Sequence, residues 1–263
     1  MTAIGAIRIV SSDVRALAGF YERALGFRAA GEGGRPDPFV PMRRIVRLRL
    51  GDEIVEICEP DMPGAPVPPL AAGDPRFQHF AMIAPDLPTA MRRLDAEPGW
   101  TPITRGDPAH LPEASGGVTA FKFRDPEGHP LEVLSFPDGR SPARWRGLTG
   151  SLVGIDHTAI AVTDLARSEA HYAVLGFRRA AHTLNRGLEQ ARLDGAAHPV
   201  LDMVRLKAGP GIALELLAYR TPPVSAPPGD PDIAATRTVL RADAVPPRDP
   251  DGHRWIAEPE PQA

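Results

Sequence analysis

One cysteine in 263 residues, Cys58, leaves no partner for an intrachain disulfide. That excludes a disulfide-stapled secreted scaffold and fits a reducing cytoplasm. Ile54 and Ile57 beside the thiol suit a buried small hydrophobe better than a nucleophile. No apolar run approaches the ~18 residues of a membrane span, and no basic-then-apolar leader precedes the first strand pattern. Lys and Arg are scattered, none of them interleaved with aromatics in a stripe. Net charge is −3 and the pI near 6.2. These absences remove the electrostatic case for nucleic acid or an acidic membrane. A soluble cytoplasmic protein is expected.

What is present is ordinary globular composition, 43% hydrophobic and 24% charged, in a chain long enough for two domains. Its order lies in repeats. Three segments begin alike: IGAIRIVSSD at 4–13, FQHFAMIAPD at 77–86 and IDHTAIAVTD at 155–164. Each is a strand pattern ending in Asp, a residue that caps the helix to follow. Helices are predicted over 14–24, 87–96 and 165–174. The first and third end in matching words, FYERALGF and HYAVLGF, with Gly26 and Gly176 suited to a left-handed cap. Strand patterns follow each helix, at 45–50 and 53–58, at 118–123 and 131–136, and at 200–206 and 212–219. A Pro-rich connector over 221–231 leads to a reduced fourth unit with one strand near 235–241 and a polar tail around Gln262.

RDPEGH at 124–129 and RDPDGH at 248–253 are almost the same word. Pro and Gly at the second and fourth positions of DPEG suit a type I turn between two strands. His129 and His253 follow the turn and read as hairpin caps. Beyond that turn Glu132 stands among Leu131, Val133 and Leu134. A carboxylate there must be paired, metal-bound or neutralised, because leaving it bare costs several kcal/mol. Residues 136–150 read as the hinge between halves, an ordered loop packing Trp145. Ser115-Gly116-Gly117 feeds the hairpin, either as a flexible loop or as a gate over a ligand. His110 and Arg105 are candidates for its mouth.

Taken in order, IDHTAIAVTD, FYERALGF and RDPEGHPLEV resemble the vicinal oxygen chelate superfamily of glyoxalases, bleomycin-resistance proteins and extradiol dioxygenases. The resemblance covers nearly the whole chain and is weakest over the last 40 or so residues. It implies an α+β fold of tandem βαβββ units, paired into two glyoxalase-like cup domains over about 1–140 and 150–263, the last unit shortened. It also implies a divalent metal held by the first and last strands of the units in a pair. With the Asp caps aligned, the first-strand positions fall on Ala6, His79 and His157, and near Ala235 or Thr236 in the fourth unit. The last-strand positions fall on Glu56, Glu132, Glu215 and Ile256.

If neighbouring units share a cup, the first cup holds His79, Glu132 and Glu56, enough for iron, manganese, nickel or zinc. Glu56 is then a third ligand or the base that removes a proton next to a metal-bound carbonyl. The second cup has only a half-site, His157 and Glu215, which Glu189, Gln190 or the fourth unit would have to complete. Otherwise these two residues bond each other structurally. Arg8, two residues beyond Ala6 on the same strand face, opposes a metal. It either holds an anionic substrate group or pairs with Glu56 or Glu132, making the cup metal-free. Two functions are therefore carried forward. One is a metal-dependent enzyme on a small molecule with vicinal oxygens, of glyoxalase-like lyase or isomerase type. Ring-cleaving dioxygenases use two histidines and one glutamate, and one histidine is expected in this cup. The alternative is a metal-free binding or drug-sequestering protein. The expected partner is a small-molecule substrate, with a homodimer as an alternative to the monomer.

Overall fold

The computed structural model describes residues 2–62, 71–74, 78–223 and 236–259. Residues 224–231 of the connector, Ala235 and the tail around Gln262 fall outside them.

Unit one comprises β1 (Ala3–Val10), α1 (Val14–Leu25), β2 (Arg28–Glu32), β3 (Met42–Leu50) and β4 (Glu53–Pro60). Unit two comprises β5 (Gln78–Ile83), α2 (Leu87–Asp95), the short β6 (Thr101–Pro102) and β7 (Ala109–His110), β8 (Thr119–Arg124) and β9 (Pro130–Ser135). Unit three comprises β10 (Ile155–Ala161), α3 (Leu165–Val174), β11 (Arg178–Arg186), an added helix α4 (Leu188–Leu193), β12 (Val200–Lys207) and β13 (Ala213–Thr221). Unit four is reduced, among the described residues, to β14 (Arg237–Arg241) and β15 (Arg254–Glu258). No described helix is long and apolar enough to cross a membrane.

The predicted caps form. Asp13 accepts from the Arg15 and Ala16 amides, Asp86 from Thr89 and Asp164 from Arg167. Gly26 ends α1 in the left-handed region, φ 76°, a conformation that costs glycine little.

The units do not pair in the expected way. One sheet has the order β15-β14-β1-β4-β3-β2, and the other runs β11-β12-β13-β10-β5-β9-β8-β6, with β7 on β8. Unit one shares a cup with unit four, and unit two with unit three, so each cup takes one unit from each half of the chain. The expected first cup, closed within 1–140, is therefore corrected. Each join is an antiparallel pair of first strands, β1 on β14 and β5 on β10.

What binds unit two to unit one, and unit four to unit three, is the repeated turn. Asp125 accepts from the amides of Glu127 and His129 and from Tyr21 Oη of α1, at 3.1 Å. His129 Nδ1 donates to Asp125 at 2.9 Å, and Nε2 lies 2.9 Å from the Val10 carbonyl at the end of β1. Unit four does the same to unit three. Tyr172 Oη donates to Asp249 at 2.6 Å, and His253 Nε2 lies 2.7 Å from the Ala161 carbonyl. Aromatic packing follows these lines, Tyr21 on Phe80 and Tyr172 on Trp255. Both turn histidines are structural, as their position after the glycine suggested. Trp145 of the hinge is buried, as expected for an ordered loop.

Asp125→Ala would strand Tyr21 Oη and the His129 ring in the core. The expected loss is about 3 kcal/mol in urea unfolding. His129 gives a pH signature. Burial alone would lower its pKa, but Asp125 outweighs burial and holds it above the usual value. Its contribution is complete below the unfolded value near ~6.5 and is lost as pH rises through the folded value. The stability advantage over His129→Gln should therefore shrink steadily on raising the pH of urea titrations above neutral.

A candidate metal site between the two halves

Strand pairing brings four side chains of units two and three together, as two groups that share His157: His79 and Glu132 on one side, Glu215 (with Asp156) on the other. In the β5–β10 pair His79 lies opposite Ala159 and His157 opposite Ala81, so the rings stand diagonally, centroids 5.8 Å apart. In the parallel flanking strands Glu132 lies beside Ala81 and Glu215 beside Ala159. All four are buried. His79 Nε2 is 3.0 Å from Glu132 Oε2, and His157 Nε2 is 3.6 Å from that atom and 3.3 Å from Glu215 Oε2. The predicted half-site is thus part of one cluster with His79 and Glu132. Glu189 is exposed, and no described residue of the fourth unit joins it.

Around the cluster stand groups that sequence reasoning missed. Asp156 Oδ2 accepts from His157 Nδ1 at 3.0 Å, and Arg205 Nη1 lies 2.7 Å from both Asp156 Oδ2 and Glu215 Oε1. Lys122, opposite Glu132 in the β8–β9 ladder, donates to Asp194 Oδ1 at 2.7 Å. Tyr219 Oη and Gln190 Nε2 also donate to Asp194. Strand alternation was the available signal. Lys122 and Arg205 occupy the rungs of Glu132 and Glu215 and so share their face.

These charges set the protonation. Burial alone would raise the Glu132 pKa, but Lys122 and the two imidazoles hold it well below the carboxylate range. Burial alone would lower that of His157, yet Glu215 and Asp156 push it up to about 10. Burial, helped by Lys122, lowers that of His79. The surrounding charges therefore push the two imidazoles in opposite directions, His157 towards the cation and His79 towards the neutral ring.

The donors fit a divalent ion. Two atoms each ~2.1 Å from one ion lie ~3.0 Å apart at a right angle and ~3.4 Å apart at the tetrahedral angle. The His79–Glu132 and His157–Glu215 distances fall in that range, and the His157–Glu132 distance of 3.6 Å lies just above it. His157 Nε2 is buried without a hydrogen bond of good geometry, though carboxylate oxygens lie within 3.6 Å. Asp156 on Nδ1 leaves that nitrogen directed at them, the usual support for a metal-bound imidazole.

The cluster forms the charged end of a cavity of about 310 Å³. Ser115 and Gly116 also line it, and Ser115 Oγ donates to Asn185 Oδ1 of β11 at 2.9 Å, so the glycine-flanked loop stands against the cavity. His110 and Arg105 do not line it, bonding to Thr119 and the Gly195 carbonyl.

Glu56 and Arg8 are elsewhere, in the cup of units one and four. Arg8 Nε and Nη2 each lie 2.8 Å from Glu56 Oε2, and both residues are almost wholly buried. The register that sets His157 opposite Ala81 sets Arg237 opposite Arg8, so the fourth unit's first-strand position is Arg237 rather than Ala235 or Thr236. Ile256 keeps the last-strand position, paired with Val239. Arg237 Nε is 2.9 Å from Asp37 Oδ2, and Arg8 Nη2 donates to the Arg35 carbonyl. The segment carrying Arg35 and Asp37 packs into this cup. A Cβ on Gly34 would stand 3.0 Å from Glu56 Oε1. The expected set of His79, Glu132 and Glu56 is corrected: Glu56 pairs with an arginine in the other cup.

The family model described as Glyoxalase/Bleomycin resistance protein/Dioxygenase superfamily matches residues 3–133. No curated protein matches the chain. Among solved structures, glyoxalase I from Zea mays superposes with a TM-score of 0.62 at 15% identity, over 98% of this chain and 92% of that one. A Bacillus subtilis protein provisionally titled a dioxygenase superposes with a TM-score of 0.54 at 17% identity, over 92% and 71%. At these identities the likeness concerns the fold.

The two cups should separate by mutation. Glu56→Ala leaves the Arg8 guanidinium buried and should cost about 3–5 kcal/mol in urea unfolding. Arg8→Met combined with Glu56→Leu should recover most of that loss.

Proposed function

Since the chain belongs to the glyoxalase/bleomycin resistance protein/dioxygenase superfamily, we propose that the cup of units two and three is the active site of a divalent-metal-dependent enzyme on a small molecule with adjacent oxygen functions. One observation carries this reading. Imidazoles and carboxylates at the same strand positions of two repeats converge, with contacts of 3.0–3.6 Å, at the charged end of a cavity. His79, His157 and Glu132 would hold the ion, with Glu215 beside it. When bound, a divalent ion supplies Lewis acidity to two neighbouring substrate oxygens.

The chain's own groups do the rest. Asp156 holds the proton on His157 Nδ1, which fixes the tautomer and the ring. Arg205 fixes Glu215 through Oε1 and leaves Oε2 towards His157. Glu215 Oε2 is then the proton carrier, taking a proton from the carbon next to the substrate carbonyl and returning it to the neighbouring carbon. Lys122, held by Asp194, keeps positive charge beside Glu132 and favours its ionised form. Glu56 has no part in this reaction.

The second carboxylate favours lyase or isomerase chemistry, because a facial triad needs only one. A competing reading has an observation of its own. His79, Glu132 and His157 offer ligand atoms all within 4.8 Å of one another, a two-histidine, one-carboxylate set that suits iron(II) and oxygen. With His157 beside His79, this cup has the two histidines that a ring-cleaving dioxygenase uses.

Protein purified without chelator should carry close to one divalent ion per chain by elemental analysis, and His157→Ala should lose it. Asp156→Asn should weaken metal affinity by about 10–100-fold. Glu215→Gln should keep the metal while turnover falls by about 10²–10⁴. A wild type that takes up no Fe, Mn, Ni or Zn would remove the enzyme reading. Substrate turnover with stoichiometric oxygen uptake would replace the isomerase with the dioxygenase.

A further inference from the structure

We propose, building on that active-site reading, that the substrate carries its adjacent oxygens on an uncharged, apolar body rather than on an anionic one. Strand register arranges the cavity in rungs. Its charged rungs are Lys122 with Glu132 on one wall and Arg205 with Glu215 on the other. Two residues further along each strand pair, facing the same way, come Leu134 on the first wall and Met203 with Leu217 on the second. The next positions are Val118 with Phe136 and Leu201. On these two walls charge thus gathers at one end, where the oxygens would be held, and the positions beyond it are aliphatic or aromatic. β11 adds the uncharged Thr183 and Asn185 beside Met203 and Leu201, and besides Asp156, Arg144 and Lys207 are the other charged lining residues.

The cations along the wall are already matched. Lys122 is 2.7 Å from Asp194, Arg205 is 2.7 Å from Asp156 and Glu215, and Arg144 pairs with Glu53. Lys207 alone among the described lining cations has no ion pair, and it stands at the exposed end of β12, where water already solvates it. An ionised group on the substrate body would therefore lose its hydration against Leu, Met and Phe with no buried cation to receive it. A volume of about 310 Å³ lies at the small end of ligand cavities. The body is consequently a short alkyl chain or a single ring.

Hydroxamates test this, because they present two adjacent oxygens on a tail of chosen chemistry. Acetohydroxamic, hexanohydroxamic and octanohydroxamic acids and suberic acid monohydroxamate would be titrated calorimetrically into metal-loaded protein. Affinity should rise about threefold to fourfold per methylene until the cavity is filled. The carboxylate-ended suberic compound should bind at least about tenfold more weakly than octanohydroxamate. In Met203→Glu the gain with chain length should collapse, with acetohydroxamate affinity as its reference. A flat series, or a suberic compound that binds as tightly as octanohydroxamate, overturns the proposal while leaving the metal site standing. If instead no metal is held and acetohydroxamate does not bind, the active-site reading fails. The apolar body is then judged on metal-free protein by thermal shift. Stabilisation by 1-octanol and not by octanoate upholds it; the reverse, or neither, overturns it.

Discussion

The antiparallel pairing of β5 with β10 is the constraint on which the rest depends. It is the only ladder joining unit two to unit three among the described residues, and it sets two histidines from opposite halves diagonally across one joint. A slip of one residue would turn His79 or His157 to the other face of the sheet and disperse the cluster. The joint is pinned beyond its ladder. Thr158 Oγ1 donates to the His79 carbonyl at 3.0 Å, and Gln78 Nε2 reaches both Thr158 Oγ1 and Thr238 Oγ1 at 3.1 Å. Thr238 belongs to the other sheet, so one buried amide ties both cups to the same register.

The two cups apply one scaffold to the same electrostatic problem with different residues. Both have a glutamate on the last strand of a full unit, a buried carboxylate that needs positive charge. Around Glu132 and Glu215 the first strands supply His79 and His157, groups that can exchange a proton for a cation, and open space remains beside them. Around Glu56 the corresponding positions are Ala6 and Arg237, with Arg8 added, and Asp37 balances the second arginine. A guanidinium cannot be deprotonated in a protein, so it supplies positive charge permanently. The cups thus differ at both first-strand positions, at one last-strand position, where Ile256 replaces a glutamate, and in the arginine Arg8 that pairs with Glu56.

Much of this was legible in the sequence because it is local. Caps, strand periods, the DPEG turn and the alignment that singled out His79, His157, Glu132 and Glu215 all depend on neighbours within about a dozen residues. Which units share a sheet is a long-range choice between nearly identical surfaces, and periodicity carries no information on it. Pairing units one and two by their order in the chain puts Glu56 with His79 and leaves His157 and Glu215 as a remnant. The repeated RDPxGH word was itself the overlooked clue. Its Asp and His bond backward to Tyr21 and Val10, and to Tyr172 and Ala161, holding unit two to unit one and unit four to unit three without placing either pair in one sheet. Arg237 escaped notice because the register of a five-residue strand after a long connector cannot be read from its own pattern.

The ion cluster of the closed cup has a reason of its own, and stability is a poor one. Buried ion pairs seldom outperform well-packed apolar residues of the same volume. Unit four, however, has two strands of five residues among those described, too little surface for packing alone to select one register on β1. Arg237 meets Asp37 and stands opposite Arg8 only when Ala6 faces Val239. A shift by one residue would part Arg237 from Asp37 while Arg8 keeps Glu56, and a buried guanidinium without its carboxylate costs far more than a misplaced methyl group. The same shift would carry Thr238 away from Gln78 and loosen the β5–β10 joint. The closed cup therefore acts on the open one through geometry, since its charges hold the fourth unit where Gln78 needs it.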